Sequence, residues 1–228
     1  MKKHKGSYDI STSFLYRKCL KEWWPAIDAN QEIFHYKKGE KIFEEGNKVE
    51  GVFFMLQGIV KVHKKWSEDK ELIIRFARDN DIFGHRGLST RNVFYPVTAT
   101  ALADSIVCFL QLDFFQTTLK INTQFMYNFM MFFADELQLS EQRMRDMAHM
   151  QVKGRVAKAL ITLWRKFGVN DSGFLAFTIS RQDISAFAGT TYETVYKLMM
   201  EFEESGLIKT SGKNIAIIDR TSLEELIK

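Results

Sequence analysis

The spacing of apolar residues divides the chain into a strand-like stretch and a helical stretch. From about 33 to 112, short runs rich in Val, Ile and Phe are separated by turn-forming residues, which predicts many short strands in an antiparallel barrel or sandwich. The clearest predicted strands are 58–63, 72–76 and 105–112. Residues 1 to about 24 predict a helical or loose lead-in that ends at Trp23-Trp24-Pro25. The turn signals are Lys38-Gly39-Glu40, Glu45-Gly46-Asn47, Gln57-Gly58, Ser67-Glu68-Asp69 and Asp79-Asn80-Asp81.

Helical periodicity begins near Phe114 and contains a heptad seam, the a/d pattern of a helix that packs along a partner helix. A second apolar face of the same helix carries Phe125, Phe129 and Phe132. Two apolar faces suggest that one lies on the β-domain while the other meets a second subunit. A long helix buried within one chain is the alternative interpretation. The predicted dimer interface consists of Met126, Met130, Phe133, Leu137 and Met144, and the seam continues through Ser140 and Met147.

Three further helical patterns follow near 151–168, 180–188 and 191–205, and the last two predict a helix-turn-helix. Ser180 with Asp183 indicates a capping box, and Gly189 allows the left-handed backbone that ends a helix. Thr190 with Glu193 predicts a second capping box for the next helix. The first helix is expected to bury Ile184, Phe187 and Ala188, and the second to bury Val195, Leu198, Met199 and Phe202. A β-hairpin is predicted from Leu207 to Asp219, with its turn at Ser211-Gly212-Lys213-Asn214.

Such a motif places the N-terminal end of its second helix in the major groove of DNA. Glu193 can accept a hydrogen bond from cytosine, Lys197 can donate to guanine or a phosphate, and Tyr192 can contact a thymine methyl group or a phosphate. A compact helical subdomain with solvated charges is the alternative. The predicted DNA-binding residues are Ser180, Arg181, Thr191, Tyr192, Glu193, Thr194, Tyr196, Lys197 and Lys213, with Ser211 and Asn214 near the backbone.

Composition bounds the class of protein. The 228 residues allow one or two domains, and the formal net charge of +4 permits an acidic partner such as DNA without requiring one. We expect no signal peptide and no transmembrane helix, hence a cytoplasmic protein without a membrane partner. Cys19 and Cys108 predict reduced thiols, because they form neither a CxxC motif nor a zinc-ligand spacing. No nucleophile elbow, phosphate-binding loop or HExxH motif appears, so no enzyme and no metal site are predicted.

Taken together, the sequence resembles the CRP/FNR family of bacterial transcription regulators over nearly its full length. The resemblance implies an α+β protein with an N-terminal double-stranded β-helix (jelly-roll) sensor of the cyclic-nucleotide-binding type, a long dimerisation helix and a C-terminal winged helix-turn-helix. We place these parts at 1–112, 113–148 and 149–228. The similar segments are Lys38–Gly46, Phe54–Val62, Val152–Leu160, Ser180–Ile184, Ala188-Gly189, Glu193–Val195, Leu198 and Leu207-Ile208.

The aligned sensor segment departs from the members that bind cyclic AMP. Those members carry a Glu that accepts from the ribose and, about ten residues later, an Arg that pairs with the cyclic phosphate. Here His85 replaces the carboxylate and Tyr95-Pro96 replaces the Arg-Ser dipeptide of those members. The charge-assisted contact is therefore missing, and cyclic-nucleotide binding is not expected. The cysteines are too few for an iron–sulfur cluster, and a haem, whose axial ligand could be His63, His85 or Cys108, is not expected either. A tentative effector pocket is predicted from Gly84, His85, Arg86, Tyr95, Thr98, Tyr127 and Asn128.

The sequence therefore predicts a homodimeric, sequence-specific DNA-binding transcription regulator with no cofactor, acting on a near-palindromic operator. Where the family frequently has Arg in the recognition helix, this chain has Tyr192 and Lys197, so the preferred operator is expected to differ. RNA polymerase and an unknown small-molecule effector are further candidate partners. The alternative function is a ligand-binding sensor whose winged helix contacts protein instead of DNA.

Overall fold

The computed structural model describes residues 2–3, 11, 13–67 and 70–227, and the side chains within that set except those of residues 2 and 3. Most of residues 1–12 of the predicted lead-in, and Glu68 and Asp69 of the predicted turn at 67–69, lie outside the described residues. The chain divides into two compact units, one ending at Glu136 and one beginning at Leu137.

The first unit is a two-sheet antiparallel β-roll accompanied by helices. One sheet has the strand order β1-β2-β9-β4-β7 and the other has the order β3-β8-β5-β6, which confirms the predicted jelly-roll class. Two single-turn 3₁₀ helices occur at Lys21–Trp23 and His85–Gly87. The strands are β1 Lys2–Lys3, β2 Gln31–Tyr36, β3 Lys41–Phe43, β4 Gly51–Gln57, β5 Val60–Lys65, β6 Glu71–Ala77, β7 Ile82–Phe83, β8 Thr98–Ala101 and β9 Ser105–Gln111. The helices are α1 Phe14–Lys18, α2 Trp24–Asn30, α3 Leu112–Ile121 and α4 Thr123–His149, and the last continues into the second unit.

The central pair β4 and β9 is buried on both faces, which explains its continuous apolar sequence. Successive side chains of a strand point to opposite faces of a sheet. Phe53 and Phe109 therefore pack inside the roll with the other sheet, while Phe54 and Cys108 join a second core formed with the helices. That second core contains Phe125 and Phe129 of α4, which confirms that one apolar face of this helix packs on the β-roll.

The start of the chain differs from the prediction at Trp24-Pro25. These residues begin helix α2, where the lead-in was expected to end. Proline is well suited to the first turn of a helix, because the backbone N–H that it lacks would have no helical partner there. The prediction that a segment ends at Trp24-Pro25 is therefore wrong, because a helix begins there.

The predicted single helix over 113–148 is wrong, because it is interrupted at Asn122. This residue is almost fully buried, and its backbone leaves the helical conformation at φ −102° and ψ 86°. Its side-chain oxygen accepts a hydrogen bond from the backbone N–H of Phe125 at 2.9 Å, and this contact caps the start of α4. The predicted domain boundaries at 112/113 and 148/149 stay predictions. The two compact units of the structure meet within α4, between Glu136 and Leu137.

The second unit is a small helical domain with a two-stranded hairpin. Its elements are α5 Val152–Phe167, α6 Arg181–Ala188, α7 Tyr192–Glu204, β10 Ile208–Ser211, β11 Asn214–Ile217 and α8 Arg220–Glu225. The sequence predicted the three helices and the hairpin at these places but missed α8, which Asp219 caps by accepting from the Ser222 N–H at 3.0 Å. The core joins Leu160, Ile184, Val195 and Phe202 from the three longer helices. Phe187 and Leu198 are only half-buried, in contrast to the prediction.

The heptad seam of α4 is exposed on the isolated chain. Met126, Met130, Phe133, Leu137 and Met144 each leave between 36% and 61% of their surface accessible, whereas Phe125 and Phe129 of the opposite face are buried. Within the described part of the chain, each helix is either too short or too polar to span a lipid bilayer.

Candidate nucleic-acid interface

The turn between α6 and α7 has the geometry of a helix-turn-helix. Ser180 caps α6 by accepting a hydrogen bond from the backbone N–H of Asp183 at 3.0 Å. Gly189 ends the helix in the left-handed region, at φ 64° and ψ 49°, which favours glycine because it has no Cβ. The predicted capping role of Thr190 is wrong. Its N–H still bonds back to the Ser185 carbonyl, and Thr191 caps α7 instead by accepting from the Thr194 N–H at 3.2 Å.

An arginine fixes this turn from the inside. The final carbonyl groups of a helix have no partner within the helix, so other donors must satisfy them. Arg155 of α5 donates from Nε to the Ala188 carbonyl at 3.0 Å and from Nη2 to the Gly189 carbonyl at 3.3 Å. Its Nη1 donates to the Met150 carbonyl at 2.9 Å. One guanidinium group thus joins the beginning of α5 to the end of α6.

A second arginine supports the same turn from the last part of α4. Arg143 donates from Nη2 to the Phe187 carbonyl at 2.6 Å, and its guanidinium carbon lies 4.7 Å from the centre of the Phe187 ring. Sequence reasoning missed the roles of both arginines. Neither position carries a local signal, because each arginine acts on backbone carbonyls more than thirty residues away in the sequence.

The outer side of α7 is exposed at its N-terminal end. Val195 and Met199 are buried on the inner side, while the aromatic rings of Tyr192 and Tyr196 stack on the surface with their centres 6.5 Å apart. The Glu193 carboxylate accepts from its own backbone N–H and from Thr191, which lowers its pKa, so it is an ionised acceptor at neutral pH. The predicted DNA-binding residues that are exposed here are Thr191, Tyr192, Glu193, Tyr196 and Lys197.

The hairpin places one more predicted residue, Lys213, on the surface at its tip. Arg181 donates from Nη1 to the carbonyl of the tip residue Gly212 at 3.2 Å, so this arginine holds the hairpin and is half-buried. Ser180 and Thr194 are also half-buried and serve in the two caps. The predicted set therefore contains an exposed group and a group whose side chains already hold the motif together.

Inside the β-roll, the tentative effector-pocket residue Tyr95 belongs to the aromatic core. Its ring stacks on Phe43 with the centres 4.0 Å apart, and its hydroxyl donates to the Gly51 carbonyl at 2.8 Å. Burial raises the pKa of Tyr95 to about 12, so the hydroxyl stays protonated and can donate. Thr98 is also buried and accepts from the Glu45 N–H at 3.0 Å.

The other predicted pocket residues do not all meet. Gly84 is left-handed at φ 81° and leads into the single turn that carries His85 and Arg86. This turn packs on α4 through Phe132 and Glu136: the rings of His85 and Phe132 lie 4.8 Å apart, and Arg86 Nη2 is 3.1 Å from Glu136 Oε2. The inclusion of Tyr127 and Asn128 is not supported by these contacts. Tyr127 is more than half exposed, and Asn128 donates to the Lys18 carbonyl at 3.5 Å.

The two cysteines and the possible metal ligands are considered next. Cys19 and Cys108 are buried free thiols, and burial raises the pKa of each to about 12. Among the described residues, no three His, Cys, Asp or Glu side chains are grouped so as to hold a metal ion.

Comparisons with known proteins agree with this architecture. Residues 33–122 match the cyclic nucleotide-binding domain, and residues 154–226 match the Crp-like helix-turn-helix domain. The chain is 28% identical over 191 residues to the transcriptional activator protein FnrA of Stutzerimonas stutzeri, covering 82% of this chain and 77% of that protein. It is 24% identical to the CRP-like cAMP-activated global transcriptional regulator of Mycobacterium tuberculosis, over 87% of this chain and 89% of that protein.

A solved structure has the same fold. FixK2 from Bradyrhizobium japonicum superposes with a TM-score of 0.77 at 27% sequence identity, covering 87% of this chain and 98% of that chain. A sensor-type β-roll, a long helix and a winged helix-turn-helix define a class of transcription regulators. This chain belongs to the CRP/FNR family, whose members are transcription regulators with a helix-turn-helix domain.

We predict that Arg155→Gln will lower the free energy of unfolding of the second unit by about 1–3 kcal/mol, because it leaves carbonyls of the turn without their charged donor. Where the variant is still folded, binding to all duplexes should weaken alike. Urea unfolding and fluorescence anisotropy with labelled duplexes measure the two effects.

Arg165→Gln is the matched control for this change. Arg165 lies on the same helix, is 65% exposed and pairs only with Glu224 among the contacts described, so its loss should cost at most about 1 kcal/mol. Equal effects of the two substitutions would contradict the role of Arg155.

Proposed function

We propose that the chain is a homodimeric, sequence-specific DNA-binding regulator in which α7 reads the major groove. The observation that carries the proposal is the exposed group at the N-terminal end of α7, which combines two stacked tyrosines, an ionised Glu193 and the cation of Lys197. These are the donor, acceptor and apolar groups that distinguish base pairs in that groove. Capture of DNA bound from a random pool, at stated salt, tests the proposal and would define the operator.

Within this arrangement, the residues divide between base reading and backbone contact. Glu193 can accept from the amino group of cytosine, and Lys197 can donate to guanine or to a phosphate. Lys213 at the tip of the hairpin suits phosphate oxygens. Arg181, Ser180 and Thr194 would support the surface from within, because their side chains already bond to the protein.

A second copy of the chain is the partner that we propose for the exposed seam of α4. The seam places five large apolar side chains, at 36–61% exposure, along one line of a helix that also buries Phe125 and Phe129 against the β-roll. The a/d spacing suits a parallel or antiparallel helix with the same pattern, and a symmetric dimer provides that helix. Two recognition helices about 34–36 Å apart would then contact successive major grooves of a near-palindromic operator.

We also propose that cyclic AMP does not control this protein. At the position where cyclic-AMP-binding members carry the phosphate-binding arginine, Tyr95 packs within the aromatic core and donates to Gly51. A Cβ on Gly87 would lie 2.6 Å from a Val49 methyl and 3.0 Å from the Tyr95 ring, so the neighbouring space is filled. A phenol has no charge to neutralise a cyclic phosphate.

The same proposal assigns no catalytic activity to the chain and places it in the cytoplasm with the DNA that it binds. RNA polymerase stays a candidate partner. If the winged helix instead contacts a protein, binding to every duplex would be weak and independent of salt, whereas phosphate contacts make DNA binding steeply salt-dependent.

We predict that Glu193→Ala will weaken binding to the preferred half-site by about 1–3 kcal/mol and relax base preference at one position. Glu204→Ala removes the same charge three turns further along α7 and should leave base preference unchanged. Competition binding with single-base operator variants measures both. If both variants show the same preference among the single-base operator variants, Glu193 does not contact a base.

The dimer proposal predicts that Leu137→Lys will weaken self-association roughly a hundredfold or more, because an unpaired ammonium group would be buried in the seam. Gln138→Lys introduces the same charge on the outer side of the helix and should leave the dimer intact. Sedimentation equilibrium measures the association constants. A wild-type chain that sediments as a monomer at micromolar concentration would refute the proposal.

For the sensor, we expect millimolar cyclic AMP to change neither the melting temperature nor the affinity for the operator. A ligand that binds the folded state must raise the melting temperature as its concentration rises. The operator duplex itself is the positive control in the same thermal-shift assay. Concentration-dependent stabilisation by cyclic AMP would show that the nucleotide binds despite Tyr95.

A further inference from the structure

A cluster of charged side chains joins the β-roll to α4 next to the short turn at His85–Gly87. Arg75 of β6 and Arg86 of the turn both face Glu136 of α4, each with a guanidinium nitrogen 3.1 Å from a carboxylate oxygen. His85 faces the same carboxylate with 2% of its side chain exposed, and its Nε2 is 3.8 Å from Glu136 Oε2. Asp81 is at the rim, 3.7 Å from Arg75.

The nitrogen atoms of this cluster are poorly satisfied. Seven buried side-chain nitrogens of the described residues have no hydrogen-bond partner, and four of them are here: both ring nitrogens of His85, Nη1 of Arg75 and Nε of Arg86. Nη1 of Arg75 is close to Glu136 but outside the hydrogen-bonding direction, and the distance from His85 is too long for a hydrogen bond. The single carboxylate therefore satisfies only Nη2 of Arg86 well.

Unpartnered buried groups are rare in folded proteins, because each one loses its bonds to water without replacement. Their concentration at one place indicates that a further acceptor belongs there. Two guanidinium groups and an imidazole suit the oxygens of a carboxylate or phosphate group, which can accept several charge-assisted hydrogen bonds at once. The edges of Phe132 and Phe133 against His85 limit the access of water.

We propose that Arg75, Arg86 and His85 form a binding site for a small anion with a carboxylate or phosphate group, for which Glu136 is a built-in competitor. An anion at this site would replace the Glu136 carboxylate and release α4 from the turn. Because Glu136 and the exposed seam share α4, this would couple the anion to the dimer and to DNA affinity. That coupling rests on the function proposed above, whereas anion binding itself does not.

Proton uptake should accompany the binding. The charged groups that face His85 are Arg75 from β6, Arg86 from its own turn and Glu136 from α4, with Asp81 beyond Arg75. Burial and the two arginines hold the pKa of His85 well below its usual range, so the free site contains a neutral imidazole. A dianion such as hydrogen phosphate carries more negative charge than the Glu136 carboxylate that it replaces, so it raises the pKa of His85 and favours the protonated form.

The experiment uses the full chain at constant ionic strength, with succinate and inorganic phosphate as separate probes and sodium chloride as the reference salt. Either probe should raise the melting temperature as its concentration rises, and the stronger one identifies the type of anion. Arg86→Gln should abolish the response. Arg91→Gln, which removes an exposed arginine five residues away, should preserve it.

Glu136→Gln separates a binding site from a merely structural cluster. Removing the internal competitor should tighten binding of the effective probe roughly tenfold, although the substitution itself weakens the folded state. A purely structural cluster would respond to neither probe. If this variant does not fold, the imidazole signals of His85 in the wild-type protein, followed by NMR against pH with and without probe, supply the second measurement.

The result that would overturn the proposal is the absence of any probe-dependent shift, in melting temperature or in the His85 titration, relative to sodium chloride. An equal response of Arg86→Gln and the wild-type chain would overturn it as well. DNA affinity is measured in the same samples. Normal operator binding without a response to either anion rejects this site alone, whereas an anion response without operator binding rejects the DNA-binding proposal alone.

Discussion

The backbone carbonyls at the end of α6 must find donors, and the presentation of α7 depends on how they do so. A helix leaves its last carbonyls without partners inside the helix, so other donors must satisfy them. Arg155 and Arg143 supply the missing donors from α5 and α4. The position of Tyr192, Glu193 and Lys197 on the surface depends on these two arginines, because only three residues separate the end of α6 from the start of α7.

In the β-roll, the need for satisfied polar groups is met within an aromatic core. Its interior is filled by stacked aromatic rings. The ring centres of Phe43 and Phe53 lie 5.5 Å apart and those of Phe53 and Phe83 5.2 Å apart, and Tyr95 stacks on Phe43. The one hydroxyl among them donates to a backbone carbonyl, so the core is both dense and polar-satisfied. The β-roll matches the cyclic nucleotide-binding domain, and Tyr95 packs within its aromatic core.

Unsatisfied groups are instead concentrated at the edge of that core, where His85, Arg75 and Arg86 meet Glu136. Helix α4 thus carries three kinds of surface along its length: phenylalanines on the roll, an acidic contact with the basic cluster, and an exposed apolar seam. All three belong to one continuous helix, so the proposed release of the polar contact would act on the same element that carries the seam.

Local patterns in the sequence determined the elements, because caps, left-handed glycines and apolar periodicity act within a few residues. Ser180 and Gly189 bounded α6 correctly, and the heptad spacing of α4 located its two apolar faces. Local patterns failed at Asn122, because this residue caps a new helix although the helical periodicity continues through it. They also failed at Thr190, because its neighbour Thr191 caps α7 instead. Only the tertiary structure decided which polar residues hold the fold together, since Arg155, Arg143 and Arg181 donate to backbone carbonyls that are far away in the sequence. It also decided that Tyr95 completes a core and that His85 meets Glu136, because long-range packing brings together residues whose spacing along the chain carries no periodic signal.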